Sequence, residues 1–158
     1  MCIRDRNYVK GFANAVRSNV GASYLRDIII AGNRFTGNNW GVVLEGDDNI
    51  LVVNNDLRGN SNGALLHTSG PHNIIRNNIG YITLNGGTAV FSGDGTTTQF
   101  KVKHGLAKAP KTVIATPLSP DAKDFSYAEA DDTYIYFNFS TAPPSGTDNV
   151  KLAWYAEV

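Results

Sequence analysis

Between Asp27 and Thr83 the chain repeats itself every 22 residues. Asn33, Asn55 and Asn77 keep this step, and Phe35, Leu57 and Ile79 follow two positions on. Ile30, Val52 and Ile74 precede each Asn by three positions, and Gly37-Asn38 matches Gly59-Asn60. A period of this size marks a solenoid, whose units bury their apolar faces only by stacking on one another. The apolar runs are short, β-branched and bounded by Asn and Gly, so they read as strands. Two short strands and a turn make one rung of a parallel β-helix, with ~4.8 Å between rungs. Stacking then predicts an interior file of Phe35, Leu57 and Ile79. It also predicts a structural ladder of Asn33, Asn55 and Asn77 at a bend, where Asn tolerates left-handed backbone and its amide pairs along the column.

Composition divides the chain near residue 85. Fifteen of seventeen Asn and all seven Arg lie in residues 1–85, while five of six Pro and six of seven Lys lie in 86–158. Different turn chemistry implies two domains, 7–85 and 86–158, joined at Asn85-Gly86-Gly87. The formal net charge is zero, which gives nucleic acid or an anionic membrane surface no basic patch to meet. No apolar run approaches the ~18 residues of a membrane span.

The segments Asp27-Ile28-Ile29-Ile30-Ala31-Gly32-Asn33-Arg34-Phe35-Thr36-Gly37-Asn38 and Asn49 to Asn60 resemble repeats of the right-handed, pectate-lyase-like parallel β-helix superfamily. That resemblance implies a fold and leaves activity open, since the superfamily holds lyases, hydrolases, tailspikes and inert adhesins. Met1 to Arg6 resembles the translation of a sequencing-library adaptor. On that resemblance these residues are set aside as an artefact, the sole cysteine, Cys2, among them. On that reading the chain is a C-terminal fragment. Asn7 to Arg26 is then a degenerate rung or a helical cap, with Val20 and Ala22 aligned on Val42 and Leu44.

Glu45, Asp47 and Asp48 cluster in one bend, and His67 lies 22 residues after Glu45. Glycoside hydrolysis needs two carboxyl groups about 5–9 Å apart, one protonated and one ionised. These four are the candidate catalytic residues, set against the simpler reading of a solvated solenoid turn. Trp40 and Arg34 are candidate glycan contacts, with Trp40 equally suited to packing a rung corner. Arg34 over Asp56 predicts a cross-rung ion pair worth about 0–1 kcal/mol if exposed. No His/Cys cluster suggests a metal or other cofactor.

The second half alternates apolar and polar over Thr88–Phe91, Thr98–Lys103, Thr112–Thr116, Phe125–Glu129, Tyr134–Phe139 and Val150–Ala156. Six short strands read as a small antiparallel β-sandwich, with Gly93-Asp94-Gly95 as a hairpin turn. Ile135, Phe137 and Phe139 share one face, as do Val150, Leu152, Trp154 and Ala156. His104, in phase with Phe100 and Val102, reads as an inward residue that fixes a turn. The run from Gly93 to Phe100, with His104-Gly105-Leu106, Pro110, Ala115-Thr116-Pro117, Ala142 to Thr147 and Trp154-Tyr155-Ala156, resembles the β-sandwich tips of phage tail-fibre and tailspike proteins.

The fold expected is therefore all-β: C-terminal rungs of a right-handed parallel β-helix, then an antiparallel sandwich. The resemblance implies a structural, receptor-binding homotrimer that contacts cell-surface polysaccharide, extracellular or on a virion tail. A polysaccharide lyase or hydrolase with its groove mostly upstream is the alternative. A secreted bacterial glycan-binding protein is a third.

Overall fold

The computed structural model describes residues 2–4, 6–18, 26–67, 70 and 72–158. The chain forms two compact units, Met1–Ile82 and Thr83–Val158. Among the described residues both are built of strands, and the one helical element is a 3₁₀ turn at Pro120–Ala122.

Among the described residues of the first unit the strands pair in parallel, with one isolated antiparallel bridge from Asn78 to Tyr81, and successive turns of the chain contribute to three sheets. The first sheet orders β1 (Cys2–Arg4), β4 (Arg26–Ala31), β7 (Asp48–Val53) and β9 (Ile74–Arg76). The second orders β3 (Asn14–Arg17), β6 (Trp40–Leu44) and β8 (Gly63–His67). The third pairs β2 (Tyr8–Val9) with β5 (Arg34–Phe35), and single bridges carry it on from Arg34 to Asp56 to Ile79. This third side was missed in the sequence because two residues between bends are too few to show alternation. The core is a column of aliphatic side chains, Ile28, Ile30, Val42, Leu44, Ile50, Val52, Leu57 and Leu65, around the fully buried Phe35.

The rungs are unequal in length. Ile3 pairs with Ile30, Ile30 with Val52, and Val52 with Ile75, so the step runs 27, 22 and 23 residues. Cys2–Arg4, within the segment set aside in the sequence, forms β1, and Ile3 packs on the core. The alignments proposed for Val20 and Ala22 lie outside the described residues; Val16 is the residue that pairs with Val42.

The change from 22 to 23 corrects the expected columns. Asn38 still aligns with Asn60, but Trp40 aligns with Gly63 and Leu44 with His67, so His67 does not lie beside Glu45. One extra residue therefore enters at the corner of residues 60–63. Beyond it the ladder is Asn33, Asn55 and Asn78, not Asn77. Ile79 does not continue the file of Phe35 and Leu57: it is 52% exposed. Asn77 instead joins a column of left-handed residues with Gly32 (φ 70°) and Asn54 (φ 56°), itself at φ 56°. Along this line of corners a left-handed residue is followed by an inward Asn, and the doublet Asn77-Asn78 disguised which was which.

The inward Asn side chains satisfy the corners. Asn55 Oδ1 accepts from the backbone N–H (3.0 Å) and the side-chain amide (3.1 Å) of Asn33. Asn55 Nδ2 donates to the carbonyls of Ile30 (2.9 Å) and Val53 (3.0 Å) and to Asn78 Oδ1 (3.0 Å). Asn38 and Asn60 form a second ladder, with Asn60 Oδ1 taking both the backbone and side-chain amides of Asn38. Among the described residues no buried side-chain nitrogen or oxygen lacks a partner.

In the second unit every pairing is antiparallel. One sheet orders β10 (Leu84–Gly93), β15 (Gly146–Glu157) and β12 (Thr112–Pro117). The other orders β11 (Gln99–Lys103), β14 (Tyr134–Phe139) and β13 (Phe125–Ala130). Inward residues of both sheets share a core that includes Ala89, Ile135, Phe137, Phe139, Val150, Leu152, Trp154 and Ala156. Phe91 stacks on Phe100 at 5.0 Å, and Phe125 meets Phe137 and Phe139 edge-on at 6.4 and 5.9 Å, geometries that suit aromatic quadrupoles.

Two turn readings are corrected. Gly93-Asp94-Gly95 is not a hairpin, because β10 and β11 belong to different sheets. It is a corner, tightened by Asp94 Oδ1 accepting from the N–H groups of Thr96 and Thr97 at 2.7 and 2.6 Å. Gly86-Gly87 is not a linker but lies within β10, opposite Tyr155 and Trp154. A Cβ at Gly86 would stand 2.8 Å from the Trp154 carbonyl oxygen, so the absent side chain is what admits the neighbouring strand.

Candidate functional site

The bend of residues 45–48 is knitted into its neighbours. Glu45 Oε2 pairs with Arg17 Nη2 at 3.1 Å. The Glu45 N–H donates to Ser18 Oγ (2.9 Å) and to Asp47 Oδ2 (3.1 Å). Asp47 is fully buried, and its backbone carbonyl accepts from Asn73 Nδ2 at 2.9 Å. Asp48 takes the His72 ring, with Nδ1 at 3.0 and 3.1 Å from its two oxygens, and the His72 N–H at 3.3 Å. Desolvation raises the Asp48 carboxyl, but the hydrogen bonds from the His72 ring and backbone outweigh it and leave the carboxyl below its usual range. His67 Nε2 accepts from Asn73 Nδ2 at 3.1 Å. The bend thus joins Glu45 to Arg17 and Asp48 to His72, while Asn73 Nδ2 reaches both His67 Nε2 and the Asp47 carbonyl.

Trp40 lies over Gly63: a Cβ there would stand 2.7 Å from the indole, at a φ of +149°. This is a packing contact at the corner that holds the extra residue. Arg34 is largely exposed, 5.8 Å from the centre of the Tyr8 ring, with Asp56 Oδ2 at 3.7 Å from its Nε. Asp56 is gripped more closely by Arg58, at 2.9 Å. That hydrogen bond is the main reason its carboxyl falls to about 2. His104 is fully buried. Its Nδ1 accepts from the Leu106 N–H (3.0 Å), so Nε2 carries the proton and donates to the Asp131 carbonyl (3.1 Å).

A second cluster escaped the sequence reading. Tyr134, Tyr136 and Asn138 alternate with the buried Ile135, Phe137 and Phe139, so they point outward from β14. Gln99 and Lys101 flank them from β11, and Tyr127 and Glu129 from β13. Only the inward half of this alternation was used, although the polar and tyrosine half was equally visible.

Parallel strands stacked at a 22–23-residue step, with Asn ladders at the corners, define a β-helix-like repeat protein. The family model described as Periplasmic copper-binding protein (NosD) matches residues 4–101, and the chain belongs to that family. A solved structure with similarity is the tailspike protein gp49 from Pseudomonas phage LKA1. It is 14% identical, with a TM-score of 0.46, over 96% of this chain and 36% of that one. The chain therefore spans about a third of that tailspike's length. No curated protein matches it.

Proposed function

We propose that the chain is a structural, receptor-binding module. Its first unit is a length of right-handed parallel β-helix that acts as a rod, and its second is a small antiparallel β-sandwich that contacts cell-surface polysaccharide. The module works outside the cytoplasm, on a virion tail or a cell surface, as a homotrimer. One observation carries this reading: the side chains best suited to polysaccharide chemistry are engaged in structural bonds, Glu45 and Asp48 across rungs with Arg17 and His72, and Asp47 and His67 within their own turn with the Glu45 N–H and Asn73. An enzyme needs such groups poised over a groove. Here Asp47 is buried, and Asp48 is held ionised by His72. On the rungs, the exposed Arg34 beside Tyr8 remains the candidate glycan contact, whereas Trp40 serves packing.

The family description names copper. Copper sites draw on converging imidazole, thiolate or thioether ligands. Among the described residues no three His, Cys, Asp or Glu side chains gather around a common point. Both ring nitrogens of His104 are occupied, and one ring nitrogen each of His67 and His72 is already bonded. These residues do not fit a copper centre, and no part of the proposed function passes through one.

Light scattering on the purified chain, with incubation against capsular and cell-wall polysaccharides, tests the reading. A trimer mass, glycan binding and no release of reducing or unsaturated ends are expected. A monomer at micromolar concentration sinks the trimer. Product release that Asp48→Asn or Glu45→Gln abolishes replaces the module with an enzyme.

A further inference from the structure

Tyrosine rings, side-chain amides and carboxylates together form the chemistry that recognises sugars. Rings stack on the C–H face of a pyranose, while amides and carboxylates take its hydroxyls. The outward face of the β11–β14–β13 sheet holds all three on a rigid support. It carries an open depression of ≈ 350 Å³, lined by Gln99, Glu129, Ala130, Asp131 and Tyr136. The walls are held in place by their own bonds. Gln99 Nε2 donates to Asn138 Oδ1 at 2.9 Å, and Asn138 Nδ2 donates to Glu129 Oε1 at 3.3 Å. The Tyr136 hydroxyl donates to Asp131 Oδ2 at 2.7 Å, while Asp131 Oδ1 accepts from the N–H groups of Thr133 and Tyr134. Gln99 keeps its carbonyl oxygen, Glu129 its second carboxylate oxygen and Tyr136 its lone pairs as acceptors for hydroxyl donors. At the rim Tyr127 is 56% exposed beside Asn138, a ring left open for stacking.

We propose that this face is a binding site for a neutral polysaccharide, with Gln99, Glu129 and Tyr136 taking sugar hydroxyls and Tyr127 stacking on a ring. The proposal rests on the glycan-contacting role given above and places that contact on one sheet. Ligand charge follows from the lining: two carboxylates, Glu129 and Asp131, repel an acidic sugar. The two lysines of β11, Lys101 and Lys103, have their Nζ atoms 4.5 and 6.0 Å from the centre of the Tyr134 ring, drawn to its aromatic face.

Affinity electrophoresis of the full chain tests it, in native gels cast with dextran, galactomannan, laminarin or polygalacturonate. Retardation is expected in at least one neutral gel. Gln99→Ala, at an exposed position, and Tyr136→Ala should each weaken it at least tenfold, and Tyr155→Ala, on the other sheet, should leave it intact. Circular dichroism confirms that each variant folds. Neutral-gel retardation indifferent to Gln99→Ala and Tyr136→Ala overturns the site while leaving a glycan-binding role standing. Retardation in polygalacturonate alone overturns the neutral ligand. No retardation in any gel overturns both the site and the role it rests on.

Discussion

Two lines of corners in residues 1–82 turn on buried Asn side chains, whereas the corners at Asp94 and Asp131 in residues 83–158 turn on exposed carboxylates. Asn33, Asn38, Asn55 and Asn78 lie inside the stack, each bonded to the rung above or below. Asp94 and Asp131 sit at the surface and gather N–H groups from their own turns. The difference follows from what lies beside each corner. In a parallel stack a corner has another corner above and below, so its backbone donors and acceptors both face protein. A side chain that both donates and accepts answers both, and an amide does so with no charge to bury; the bend of residues 45–48 uses the buried Asp47 carboxylate for the Glu45 N–H instead. In an antiparallel unit the corner faces water, its carbonyls are solvated, and an acceptor-only carboxylate is enough. The cores divide in the same way: aliphatic side chains fill a column with a short repeat, and aromatic rings fill the wider gap between two sheets.

The chain's two tryptophans, Trp40 and Trp154, fall one in each unit, so Trp154→Phe and Trp40→Phe backgrounds report each unit's urea unfolding by fluorescence. The sharpest challenge is Asn55→Asp, which removes three buried donations and inserts a charge. It should cost about 4 kcal/mol or more and move only the Trp40 transition. The converse exchange, Asp131→Asn, keeps an acceptor for Thr133 and Tyr134 and should shift the Trp154 transition far less. Equal effects would erase the distinction between the corners. Phe137→Ala, fully buried against Phe91 and Phe125, should cost about 3–5 kcal/mol in the second unit alone. Asn78→Ala should cost about 2 kcal/mol, while Asn77→Gly, at a left-handed position, should change stability by less than about 0.5 kcal/mol. The reverse order would restore the uninterrupted 22-residue ladder.

The smallest effect is acid sensitivity. The Asp56 carboxyl falls from 3.8 to about 2 on folding, mainly through Arg58. A depressed carboxyl contributes stability above its unfolded value and loses it as pH falls through the folded one. The Trp40 transition should therefore weaken between about pH 4 and pH 2, and Arg58→Ala should flatten that slope. An unchanged slope in the variant would show that Arg58 is not the cause.

Much of this division was legible in the sequence. The Asn spacing and β-branched runs predicted stacked parallel strands, and the alternation from Tyr134 to Phe139 and from Val150 to Ala156 marked the inward faces of the second unit. What stayed hidden had physical causes. A constant period cannot show that Asn60 to Gly63 absorbs one residue more than Asn38 to Trp40, and the doublet Asn77-Asn78 fits either register. Met1 to Arg6 was judged by its resemblance, although Ile3 has the side chain a core position needs. Gly86-Gly87 looked like a joint because glycine marks both flexible turns and close strand approach, and only Trp154 across the sheet tells them apart. The bend candidates were found as residue types. The partners that Glu45, Asp47 and Asp48 find in other rungs, Arg17, Ser18, Asn73 and His72, are ones no local spacing reveals.

Rungs of unequal length bear on how such a chain tolerates change. The surplus residue at the corner near Ser61 and Asn62 leaves the strands on either side in step, so that corner works as an overflow. A short foreign peptide spliced there should be carried as a tethered passenger, while the same peptide placed inside a strand would throw every later side chain to the wrong side.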